Sequence, residues 1–182
     1  MYTEAQNAPI YAERDAREAA IVNAYDATSP KGFLEMDKAE RALSMKAEQA
    51  MKAAQSNVVA LMLDEAKVGD GVTVSSYSDA HAYTIIKRTA KTIVLQEDDA
   101  ELQNGGALKF HVGGFAAHCS NQRVQEYTYT PNTEAGTVKI TRREFTDYDG
   151  NTRIEWRRVG TKRGQRGGTA RCGRAKFYDY NF

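Results

Sequence analysis

A change of hydrophobic period near Lys67 divides this 182-residue chain. Before it, apolar residues recur at three- and four-residue steps; after it, they recur at every second residue. A helix repeats its face every 3.6 residues and a strand every two, so neither pattern can serve as the other. The chain therefore separates its helices from its strands, which is an α+β arrangement. The expected division is a helical region over residues 1–66 and an antiparallel β domain over residues 67–182.

In "EMDKAERALSMKAEQAMKAAQSNVVALMLDEAK", the residues Leu43, Ala47, Ala50, Met51, Ala54, Val58, Leu61 and Met62 share one helical face. Lys38, Arg41, Glu48, Lys52 and Gln55 line the other. The spacing predicts a helix of about 28 residues. Asp37/Arg41 and Glu48/Lys52 stand four apart in the order that supports a helix. The alanine-rich segment from Ala8 to Ala27 predicts an earlier helix, with Asn7 as N-cap and Pro9 in its first turn. "TSPKG" separates the two, since Pro30 and Gly32 oppose helix continuation. The result is a helical hairpin or a pair of arms. Small alanine faces permit close helix–helix approach, either onto this chain's own second domain or in a homodimer through the N-terminal helices.

After Lys67, the runs "GVTVSSYSD", "AHAYTIIKR", "KTIVLQE", "VQEYTYTP", "TVKITRREF" and "TRIEWRRVG" are rich in β-branched and aromatic residues, as strands prefer. "PNTEAG" and "DYDGN" supply turn chemistry between them. Six short strands with close turns predict a small antiparallel β-barrel-like domain. Its "KVGDGV" entry resembles the first turn of SH3-like barrels. In "TRIEWRR", Ile154 and Trp156 share one side of a strand and Arg153, Glu155 and Arg157 the other.

The histidines and cysteines offer little chemistry. Structural zinc commonly takes four ligands in paired spacings, whereas His118 and Cys119 are adjacent and His111 and Cys172 stand alone. Cys119 as a nucleophile would need a base such as His81 or His111, and nothing in the sequence positions one. In "GGFAAHCSNQ", Gly113 and Gly114 suit a tight turn, Phe115 the core, and Cys119 a small buried filler. "QEDDAEL" gathers Glu97, Asp98, Asp99 and Glu101, which read as an acidic solvated turn between strands. "GQRGG" lacks the strand–loop–helix setting of a phosphate cradle. The expectation is a non-enzymatic protein with no cofactor and no metal. Two cysteines suit a reducing cytosol, and no apolar run approaches about 18 residues. These features point to a soluble cytoplasmic protein with no membrane partner.

The strongest signal is charge. The net charge of +1 hides an acidic N-terminal third and a basic remainder. From Trp156 to Lys176 the chain carries Arg157, Arg158, Lys162, Arg163, Arg166, Arg171, Arg174 and Lys176 and no acidic residue. Arginine dominates, and its planar fork pairs bidentately with phosphate. Glycines throughout residues 157–176 suggest a basic Arg/Gly-rich loop that contacts DNA or RNA without sequence preference, or an acidic protein face. Four such phosphate contacts would give a log–log salt slope of roughly −3.6.

Three blocks in order, "VGDGVTVSSYSDAHAYTIIKRTAKTIVLQEDDA", "GGFAAHCSNQ" and "FYDYNF", resemble a family of small proteins encoded by bacteriophages and related mobile elements. The resemblance covers about residues 67–182. With its acidic helical extension, the whole chain is similar to broad-spectrum type II anti-CRISPR proteins. That resemblance implies an inhibitor that binds the RNA-guided nuclease of type II CRISPR systems, with its guide RNA, in the cytoplasm of the bacterial host. It carries no individual residue role. Many anti-CRISPR proteins imitate DNA with dense acidic surfaces, and this near-neutral chain departs from that. Two routes stay open. The acidic helical half, with Glu4, Glu13, Asp15, Glu18, Asp26 and Glu35, could meet the basic nuclease surface. Alternatively, the basic stretch could grip guide RNA or DNA, blocking target binding or cleavage. A general nucleic-acid-binding accessory protein of a phage is the rival reading.

Overall fold

The computed structural model describes residues 4–25, 29–112, 118–146, 150–162 and 167–181. Among the described residues, two helices, α1 (Glu4–Ala24) and α2 (Pro30–Glu65), precede nine strands. The strands are β1 (Gly71–Ser76), β2 (Asp79–Arg88), β3 (Thr92–Leu102), β4 (Phe110–His111), β5 (His118–Cys119), β6 (Tyr127–Pro131), β7 (Thr137–Thr146), β8 (Thr152–Arg158) and β9 (Ala170–Cys172). The fold is α+β, with an antiparallel, barrel-like sheet. Two compact units are present: Met1–Val58 with Glu144–Ile154, and Val59–Arg143 with Glu155–Phe182.

In the first unit, the helix boundaries differ from those the sequence suggests. The start of α2 is set by Ser29, whose hydroxyl oxygen accepts the Gly32 N–H at 3.0 Å. Pro30 then takes the first helical position, where a missing N–H costs nothing. The break therefore falls before Pro30, and Gly32 is helical. α1 begins at Glu4, so Asn7 lies inside it and Pro9 is an interior residue. The expected pairs form on α2: Arg41 with Asp37 at 2.9 Å and Lys52 with Glu48 at 2.5 Å. Polar side chains also join α2 to the start of β8. Asn57 accepts the Ile154 N–H at 2.7 Å and donates to the Thr152 carbonyl at 2.9 Å, and Ser56 donates to the Ile154 carbonyl at 2.9 Å. This satisfies strand backbone that would otherwise form an open edge.

The second unit holds the barrel. Its strands follow the order β8-β7-β3-β2-β1-β9, with β6 on the far half of β3. A bridge from Arg157 to Thr169, and the Arg158 N–H donating to the Gly168 carbonyl at 2.7 Å, bring the two ends of that order together. Residues opposite each other in an antiparallel pair share a face. The register Val72↔Tyr83, Ile85↔Leu95 and Ile93↔Ile140 therefore lines one interior. Val72, Ile85, Ile93, Leu95, Ile140 and Trp156 are fully buried. Each such side chain contributes about 1.5–3 kcal/mol on burial.

The last turns of α2 belong to this unit and bury Ala60 and Leu63, while Leu61 and Met62 are exposed. The buried face is thus one step away from the face that counting apolar residues suggests. Polar anchors fix it there. Asp64 accepts the Trp156 indole N–H at 2.8 Å and the Arg142 Nε at 3.2 Å. Arg88 donates to the carbonyls of Leu63 and Ala66 at 2.6 Å each, and also to that of Asp64. These carbonyls lie at the helix end, where the Leu63 carbonyl otherwise accepts only the Ala66 N–H at 3.3 Å, and a cation suits the negative end of the helix dipole.

β3 runs straight through the acidic cluster, which is therefore strand and not turn. Asp98 is buried; it accepts the Thr84 hydroxyl at 2.6 Å and the Arg174 Nε at 2.9 Å. A carboxylate with a cation and a hydroxyl can occupy a strand interior that an isolated one cannot.

Candidate polyanion-binding surface

The basic stretch is woven into the barrel at both ends. Arg157 and Arg158 finish β8, and Arg171 is the middle residue of β9, opposite Thr73 of β1. Between them, Gly168 donates to the Ser75 carbonyl at 2.6 Å, and Ser75 donates to the Thr169 carbonyl at 2.9 Å. Gly167 and Gly168 have φ of +81° and +77°, and a Cβ at Gly167 would lie 2.7 Å from the Tyr77 backbone nitrogen. Glycine here serves close approach to β1, a role distinct from mobility.

The eight cations consequently divide. Arg174 is tied to Asp98 and to the Thr84 hydroxyl at 2.8 Å. Arg157 lies 3.5 Å from Glu155 and donates to the Gly167 carbonyl at 2.7 Å, with both charged side chains nearly buried. Lys176 reaches His81 Nδ1 at 3.2 Å. Arg158, Lys162 and Arg171 are exposed. For Arg158 and Arg171, no side-chain partner is found among the described residues. Arg163 and Arg166 lie outside the described residues.

Arg158 stands at the open mouth of the barrel. The inward-facing stripe that holds the core continues along each strand into polar residues: His81 beyond Tyr83 on β2, Glu97 beyond Leu95 on β3, and Arg158 beyond Trp156 on β8. Together with Ser75, Ser76, Tyr83 and Val138 they line a cleft of about 310 Å³. The opposite end carries the Arg88 and Asp64 anchors of α2. His81 Nδ1 lies 3.1 Å from Glu97 and 3.2 Å from the Lys176 ammonium. One ring nitrogen can donate to the carboxylate or accept from the ammonium, so its tautomer decides which bond forms. Burial pushes the Tyr83 phenol above its usual range; Glu97 adds to this and Arg158 opposes it. The Tyr83 hydroxyl is thus a proton donor at neutral pH.

The three sequence blocks meet at the C-terminal tail, where Phe177 bridges Ala80 of the first block and the Asp179 N–H donates to Asp79 at 2.8 Å. The Asn181 side chain accepts the Cys119 N–H at 2.8 Å and donates to its carbonyl at 3.1 Å. Gln122 accepts the Tyr180 N–H at 2.9 Å, and Gln125 donates to the Tyr178 carbonyl at 2.8 Å. Amide side chains thereby bind the C-terminal aromatic tail to the β5 region. Tyr180 makes edge contacts with Phe110 and Tyr178. Cys119 is buried, and His111 pairs across the ribbon with His118. Phe115 and its glycines lie outside the described residues. No group of three or more His, Cys, Asp or Glu side chains is placed to hold a metal ion among the described residues. No described helix is long and apolar enough to cross a membrane. No family model, curated protein or solved structure matches the chain.

Sequence reasoning named Arg158 and Lys176 but missed Tyr83, His81 and Glu97 as their neighbours. The alternation along β2 and β3 carried the signal: a polar residue continuing an inward stripe at the strand end marks a barrel mouth.

Proposed function

We propose that the chain is a phage-encoded, non-enzymatic inhibitor of the RNA-guided nuclease of type II CRISPR systems, acting in the host cytoplasm. It binds the guide-loaded nuclease and interferes with target DNA binding or cleavage. The observation that carries the adhesive part of this reading is the display of Arg158 and Arg171 on a rigid barrel without internal partners. Exposed cations without internal partners contribute a positive surface potential that attracts charges of opposite sign. The resemblance of the three sequence blocks supplies the target.

The test is guided cleavage in the presence of increasing inhibitor, with an unrelated restriction enzyme acting on the same DNA as control. Loss of guided cleavage near equimolar inhibitor, with the restriction enzyme fully active, is the expected result. Equal loss of both activities means nonspecific DNA coating and supports the rival reading, an accessory nucleic-acid-binding protein.

A further inference from the structure

We infer that the mouth of the barrel is a binding site for the phosphate and sugar of one nucleotide. Four polar side chains converge there from three strands that the closed sheet holds rigidly: His81 and Tyr83 from β2, Glu97 from β3 and Arg158 from β8. Small-molecule sites favour such barrel mouths, where a few polar groups stand above an apolar floor. Here the floor is the core stripe below, with Val74 and Val138 at the rim.

The decisive residue is Tyr83. The residue is 5% exposed overall and lines the cleft, and its hydroxyl, which has no hydrogen-bond partner among the described residues, is the part that reaches the solvent of the cleft. A hydroxyl that meets only water at the floor of a cleft is a donor available to a ligand that displaces that water. Arg158 gives the second such donor, also without an internal partner.

The donor set selects the ligand class. A guanidinium fork and a protonated phenol are both donors and suit a phosphate oxygen. Arg158 and Lys176 outweigh the single carboxylate of Glu97, so an anion is favoured. Glu97 remains as an acceptor for a hydroxyl, such as that of a sugar. The cleft volume of about 310 Å³ is larger than a lone phosphate requires. A sugar–phosphate unit answers the donors, the acceptor and the size together. It can come from a free nucleotide or from a nucleic-acid strand. The inference rests on the polyanion reading of Arg158, but it does not require that the nuclease be the target.

The test is NMR titration of the full chain with adenosine 5′-monophosphate, inorganic phosphate and a short single-stranded oligonucleotide lacking terminal phosphates. The expected result is saturable shifts at His81, Tyr83 and Arg158 with the nucleotide, weaker by about tenfold or more in Arg158→Gln. Tyr83→Phe should also weaken binding while leaving thermal stability unchanged, because no internal hydrogen bond is lost. Competition between nucleotide and oligonucleotide for these shifts places a strand in the cleft; nucleotide shifts unaffected by the oligonucleotide assign it to free or terminal phosphates. Shifts that avoid the mouth, inorganic phosphate binding as tightly as the nucleotide, or unchanged affinity in Arg158→Gln would overturn the inference. Guided-cleavage inhibition, assayed separately on the same variants, distinguishes failure of this site from failure of the inhibitor reading.

Discussion

Arg174→Gln removes the cation facing the Asp98 carboxylate, whose side chain is fully buried. Stranding a buried charge in this way costs about 3 kcal/mol or more, so urea denaturation should show a loss of that size. A loss below about 1 kcal/mol would mean that Arg174 is not structural. Asp179 gives a pH signature. The Asn181 backbone N–H, then Gln122 and Ser78, hold its carboxyl below the usual carboxylate range. A depressed native value stabilises the fold above the unfolded value near 3.9 and is lost as pH falls through the native value. The protection factor of the Asn181 amide, its exchange rate relative to the unstructured rate at the same pH, should therefore fall below about pH 4 in the parent chain. Asp179→Asn should show no such acid step. Cys172 is shifted the other way: burial, then Asp70, push its thiol up, against Arg88. Its alkylation at neutral pH should run about tenfold or more slower in the native chain than in denaturant.

At the scale of elements, the Arg88 guanidinium acts as a cap supplied from β2 to the end of α2. Arg88→Ala should lose about 2–4 kcal/mol, measured by thermal unfolding, since several charge-assisted bonds go together. A neutral outcome would show that water satisfies those carbonyls equally well. Such contacts explain what was legible beforehand. The six longer strands could be read because alternation is local, and the helix pairs Asp37/Arg41 and Glu48/Lys52 because they lie one turn apart. The continuation of β3 through Asp98 and Asp99 was hidden, because the compensating Arg174 stands 76 residues away. β9 was hidden inside an Arg/Gly-rich stretch, where three paired residues leave almost no periodic signal. The face of α2 near Leu63 is set by Trp156 and Arg142 through Asp64, which no helical count contains.

For the whole molecule, the basic stretch is a mixed device. Arg157 and Arg174 fasten it, and Arg158, Lys162 and Arg171 face solvent. The barrel mouth could not be read in advance, because residues 81, 83, 97 and 158 meet only once the sheet closes. This division also says which charges can be removed without unfolding the chain. The most direct measurement is inhibition of guided DNA cleavage by a variant carrying Arg158→Gln, Lys162→Gln and Arg171→Gln, with Arg157, Arg174 and Lys176 retained. Adhesion through exposed cations predicts that the folded variant needs about tenfold or more protein for the same inhibition. Undiminished inhibition at the parent's stoichiometry contradicts it.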